Sequence, residues 1–175
     1  MGVAIADISI NTGASSRSDA VYGHNGMQTG QSFRTTNTSD ITGVTIYVDA
    51  LSGSAGNWIV ELQSNGSSEP SGTVLATSAE KTGASTSAGN QYNMTFTTAY
   101  TPTANTDYWI VVRRTSVDTT GNFWEIYDSS GSDTYAAGRL MRKESGTWQT
   151  KASTLDARMI ILIEPPQTGN YSRRS

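Results

Sequence analysis

With 175 residues, 12 Lys plus Arg against 15 Asp plus Glu and a formal charge of −3, the chain suits one domain and carries no basic field, so nucleic acid is not the expected partner. It has no cysteine and a single histidine, His24, which excludes disulfides and thiol nucleophiles and leaves zinc short of donors. Only 15% of residues are charged, and 48 are serine or threonine. That is a composition of strands and turns rather than long helices, and no apolar run approaches the ~20 residues of a membrane-spanning helix.

The N-terminal stretch, "MGVAIADISINTG", has no basic n-region, and Asp7 interrupts its apolar residues, so no export by a signal peptide is expected. Residues 1–27 read as an arm or as the first strands. His24, between Gly23 and Asn25 in "VYGHNGM", reads as a turn residue rather than a triad base, and no G-x-S-x-G elbow accompanies it. Phosphate-binding glycine motifs are also missing from the sequence.

From residue 28 onward, apolar and polar residues alternate in short runs. "VTIYV" sets Val44, Ile46 and Val48 against Thr45 and Tyr47. "NWIVELQ" sets Trp58, Val60 and Leu62 against Ile59, Glu61 and Gln63, and "QYNMTFT" sets Tyr92, Met94 and Phe96 against Asn93, Thr95 and Thr97. Period two is the period of a strand with one face buried. The tract from Lys81 to Asn90 is expected to be a polar rim loop that buries nothing. "DYWIVVRR" and "ARMIILIE" are apolar on both faces, as in strands covered on both sides. "YAAGRLMRKES" carries Gly138 at its centre and reads better as strand than as helix. Strand plus turn repeats every ten to fifteen residues or so, the spacing of a sandwich or barrel. The fold expected is therefore all-β, an antiparallel jelly-roll-like β-sandwich with little or no helix, over residues 28–164.

Four classes of site present themselves. Trp124, Tyr127, Tyr135 and Trp148 cluster where loops are densest, with Arg142 nearby, and rigid aromatic faces with donors beside them suit a glycan. The alternative is that these rings fill the interior. Glu125, between aromatics in "NFWEIYD", is the candidate acid of a hydrolase, which would need a second carboxylate ~5–10 Å away, with Glu61, Asp128, Asp133, Glu144 and Asp156 as the other candidates. Asp128 and Asp133 in "YDSSGSD" are weak calcium candidates, because the spacing is not that of an EF-hand loop. No other cofactor is expected. Finally, residues 165–175, "PPQTGNYSRRS", form a tail in which Pro165 and Pro166 end the last strand, and Tyr171, Arg173 and Arg174 offer an assembly arm.

Five stretches together, "GQSFRTT", "ITGVTIYV", "EPSGTVLATS", "YNMTFTT" and "NTDYWIVV", resemble the choice-of-anchor β-sandwich domain of tailed-phage virion and bacterial surface proteins. The resemblance runs roughly from Gly30 to Glu164. It implies a jelly-roll-like sandwich with a structural or binding role and no catalytic residues. The leading expectation is a non-enzymatic virion protein, a capsid decoration or head or tail fibre module. It would be synthesised in the host cytoplasm and located in the virion, a homo-oligomer contacting capsid or other virion proteins, with no membrane partner. The alternative is a carbohydrate-binding module that recognises host or other cell-surface glycans through the exposed aromatics.

Overall fold

Alternating runs punctuated by glycine, serine and asparagine build strands and little else. The computed structural model describes residues 5–10, 17–19, 27–36, 38–53, 56–116, 123–128, 135, 137–150 and 156–164. Among these are strands β1 (Ile5–Ile10), β2 (Arg17–Asp19), β3 (Gln28–Thr35), β4 (Ile41–Ser52), β5 (Trp58–Gly66) and β6 (Glu69–Thr77). They continue with β7 (Asn90–Tyr100), β8 (Thr106–Arg114), β9 (Phe123–Asp128), β10 (Leu140–Glu144), β11 (Thr147–Thr150) and β12 (Met159–Ile163). A single 3-10 turn, Gly83–Ser85, is the one helical element among the described residues.

The strands form two antiparallel sheets, and the all-β sandwich expected from the alternation is present. The first sheet has the order β1-β12-β4-β9-β2, with β7 on the other flank of β4, so that Val48 stands between Asn90 of β7 and Ile126 of β9. The second has the order β11-β10-β3-β8-β5-β6. Two pieces of the N-terminal stretch, β1 and β2, belong to the first sheet through β12 and β9. The tail 165–175, with Pro165, Pro166, Tyr171, Arg173 and Arg174, lies outside the described residues.

The core lies between the sheets. Val44, Ile46 and Val48 of β4, Met94 and Phe96 of β7, and Met159, Ile161 and Ile163 of β12 face Trp58, Val60 and Leu62 of β5 and Tyr108, Ile110 and Val112 of β8. These are the inward positions that period two assigns. Removing this apolar surface from water is the main favourable term in folding.

The tract Lys81–Asn90 departs from expectation. It is not simply solvated: Gly83 and Thr86 are buried. Thr86 Oγ1 accepts a 2.9 Å hydrogen bond from the buried Trp58 indole N–H, giving that donor an acceptor in the core. Gly83 passes so close to Gly56 that a Cβ there would come within 2.5 Å of the Gly56 nitrogen. Small residues in this tract permit the close approach that brings Thr86 to the indole.

A second departure shapes the outer face of the second sheet. Pairing of β5 with β6 shifts register between Leu62 and Gln63 and again between Gln63 and Asn65. Bulges of this kind bend a strand pair and increase its twist. The hairpin turns through Ser67 and Ser68, both at positive φ (53° and 82°). Its far limb then carries Pro70 to 3.1 Å from where a Cβ on Gly30 of β3 would sit, although β8 and β5 stand between β3 and β6 in the sheet. The hairpin tip is thus a strap folded across the outer face. Asn65 Oδ1 fixes it there by accepting from the Trp109 indole N–H at 2.9 Å.

Candidate functional site

Under and beside the strap the outer face of the second sheet is unusual. Trp109, Val111 and Met141 form a second buried cluster, with Trp148 packed against it. Gly30 makes this possible, because a Cβ would meet Pro70 at 3.1 Å and both Trp109 and Trp148 at 3.3 Å. A glycine at this point lets three rings converge on the sheet.

Next to that convergence lies a groove of ≈ 470 Å³. Its floor comes from β5 and β8, as Glu61, Gln63 and Arg113. Pro70 of the strap, Lys143 of β10 and Trp148 of β11 line it as well. The volume falls within the few hundred Å³ typical of small-molecule sites.

Glu61 is only 4% exposed, an uncommon degree of burial for a carboxylate on a face remote from the core. Each of its oxygens receives a donor. Arg113 Nε donates to Oε1 at 2.6 Å, and Gln63 Nε2 donates to Oε2 at 2.7 Å. Gln63 is oriented in turn, since its Oε1 accepts from the Gly72 N–H at 3.1 Å. Gly72 sits at φ +82°, a conformation that favours glycine. The chain of bonds from Gly72 through Gln63 to Glu61 and Arg113 holds polar groups in one geometry before any ligand arrives. A carboxylate oxygen has more than one lone pair, so each can still accept from a ligand hydroxyl.

The aromatic wall is likewise set. Lys143 Nζ lies 5.7 Å from the Trp148 ring centroid, a cation–π contact. Charges around the groove balance, with Glu61 and Glu69 against Arg113 and Lys143. Such a groove has no net preference for an anion or a cation.

Of the glycan candidates read from the sequence, Trp148 lines the groove. Arg142, one position from Lys143, takes the opposite face of β10 and pairs with Glu144. Tyr135 is half-buried against the core, and its hydroxyl accepts from the Arg34 N–H at 2.9 Å and donates to the Arg34 carbonyl at 3.1 Å. Burial pushes the Tyr135 phenol above its ordinary pKa. Trp124 and Tyr127 fall on β9, in the sheet opposite the groove, as do Glu125 and Asp128. Asp133 lies outside the described residues, and among those described no three acidic or histidine side chains are gathered to hold a metal.

Glu61 is among the hydrolase carboxylates that the sequence offers, but nothing in the sequence sets it beside Gln63 and Arg113 or marks the three as a glycan site. Period two places Glu61 and Gln63 outward, where such residues are ordinarily solvated. The signal that marks them is the strap, and the strap depends on bulges and a turn that alternation does not encode.

No family model matches the chain, and no curated protein matches it. Among solved structures it is similar to the crystal structure of the cysteine protease and lectin-like domains of Cwp84, a surface layer associated protein of Clostridium difficile. The TM-score is 0.56 at 12% identity, over 80% of this chain and 32% of that one. The chain thus spans about a third of that protein's length, and what the two share is a fold.

Proposed function

We propose that the protein is a non-enzymatic carbohydrate-binding β-sandwich that holds a neutral glycan in the strapped groove. The observation that carries this reading is the buried Glu61, fixed by Arg113 and Gln63 beside the Trp148 ring. Sugars present hydroxyls around an apolar ring face. They are recognised by oriented acceptors and donors next to an aromatic surface, and pre-ordering those groups lowers the entropy lost on binding. Both Glu61 oxygens are occupied by donors, an arrangement for accepting hydroxyls rather than for shuttling a proton. The likeness in fold to a chain containing a lectin-like domain adds support at the level of architecture.

The setting proposed is the one the sequence resemblance implies, a virion surface assembled from copies of this chain with capsid partners. What supports that setting is the resemblance alone.

A binding screen against immobilised neutral glycans, covering glucans, mannans, galactans and N-acetylglucosamine polymers, tests the reading. Retention on at least one, weakened about tenfold or more by Trp148→Ala with the fold intact, is the expected result. Failure to bind any of them, or binding indifferent to Trp148→Ala, overturns it.

A further inference from the structure

The strap divides the outer face in two. On its other side lies a smaller pocket of ≈ 200 Å³, lined by Ser32 of β3, Asp107 and Trp109 of β8, Asn65 and Ser68 of the strap, and Arg139. The same three central strands feed both cavities. β3 gives Gln28 to the groove and Ser32 to the pocket, β5 gives Glu61 and Asn65, and β8 gives Arg113 and Asp107. Arg113 and Asp107 are six residues apart on one strand, or ~20 Å. No single sugar ring covers that length. Between the cavities stands the half-buried Trp148 over Gly30, with the buried Pro70 and Trp109 packed around the same point.

The pocket is held in shape as the groove is. Asp107 is fixed by two bonds from Arg34, Nε to Oδ1 at 2.7 Å and Nη2 to Oδ2 at 2.9 Å. Arg139 is pinned through its carbonyl, which accepts from the Ser32 N–H at 3.0 Å. Gly138 before it runs so close to β3 that a Cβ would fall 3.0 Å from the Ser32 carbonyl oxygen. Across the pocket Arg139 Nη1 reaches towards the Ser68 carbonyl at 3.5 Å. Ser68 and Ser67 occupy left-handed backbone, which serine adopts at a cost and which asparagine and glycine adopt readily. The two serines form the two-residue turn between the paired Gly66 and Glu69, a hairpin geometry that calls for positive φ at both positions.

We infer that the pocket is a second subsite, and that the ligand is an oligosaccharide whose chain crosses Trp148 to engage the groove and the pocket together. The inference rests on the glycan reading of the groove. One sugar unit bonds to Glu61 and Arg113, and a unit further along the chain meets Asp107, Arg139 and the Ser68 carbonyl. The units between lie over the exposed part of the Trp148 ring. Affinity therefore grows with chain length until both cavities are filled.

Calorimetric titration with a length series, from monosaccharide to hexasaccharide, of gluco-, manno-, galacto- and N-acetylglucosamine oligomers tests this. The tetrasaccharide or longer members of one series should bind about tenfold or more tighter than the monosaccharide, and the exposed Arg139→Ala variant should remove most of that gain without changing monosaccharide affinity. The Trp109 indole N–H resonance of the unaltered protein gives a readout independent of any variant. It should shift with the long oligomer and stay in place with the monosaccharide. Equal affinity at all lengths, with Arg139→Ala silent, overturns the second subsite and leaves the groove as a single-sugar site. No binding at any length overturns the glycan reading and the subsite with it.

Discussion

Strands β5 and β7 carry the same alternating pattern and bury it differently. On β7 the inward Met94 and Phe96 are buried while Asn93, Thr95 and Thr97 are exposed. On β5 the inward Trp58, Val60 and Leu62 are buried, and so are the outward Ile59, Glu61 and Gln63. The difference lies in what covers the outer face. β7 lies at the margin of the first sheet and leaves those three side chains exposed, whereas the bulged β5–β6 hairpin folds back across the second sheet. Polar side chains buried where the core does not require them mark a built surface, because each must be matched by a partner.

The largest expected effect comes from breaking that match. Glu61→Ala leaves Arg113 and Gln63 without their acceptor in a partly dry groove and should destabilise the protein by about 2–3 kcal/mol in denaturant melts. Thr95→Ala, at the equivalent outward position of β7, should stay within about 0.5 kcal/mol. Similar losses at the two sites would erase the contrast.

Next in size is the convergence on Gly30. Gly30→Ala sets a methyl against Pro70, Trp109 and Trp148, and displacing the strap should cost about 1–3 kcal/mol. An unchanged melting curve would show that the strap yields freely. In the opposite direction, the double change Ser67→Asn, Ser68→Gly suits the two left-handed positions of the turn and should stabilise by about 1 kcal/mol. A loss of stability would contradict the assigned turn.

How much of this was legible in the sequence follows from which interactions are local. Period two marked the inward residues of β4, β5 and β7, and two-sided apolar runs marked β8 and β12, because side-chain direction in a strand is fixed by position alone. Trp148 was also recognised as a binding candidate. Glu61 is legible only as one of several carboxylates, and Gln63 and Arg113 not as site residues at all, because what gathers the three into a groove is Pro70 and Trp148, partners on other strands. The burial of Thr86 was missed for the same reason: its partner, Trp58, lies 28 residues away. Of the remaining candidates, Trp124 and Tyr127 are separated from the groove by sheet membership, which no local pattern expresses.

The smallest effect expected is on pH dependence. Burial raises the Tyr135 phenol, and the Tyr100 phenol too, above the ordinary value of about 10. The folded state therefore favours the neutral phenols. Their contribution to stability is complete below pH ~10 and is lost as pH climbs through the raised values. Melting temperature should fall above pH ~10, less steeply in Tyr135→Phe, and an identical slope in that variant would remove Tyr135 from the explanation.

The most direct test of the central claim is a calorimetric comparison of three proteins, unaltered, Glu61→Gln and Thr95→Ala, titrated with the neutral oligosaccharide that the screen retains best. Binding by the unaltered protein and by Thr95→Ala, with a loss of about tenfold or more in Glu61→Gln, is the expected result. Equal affinity in all three, or no neutral glycan retained at all, would contradict the assignment of the strapped groove.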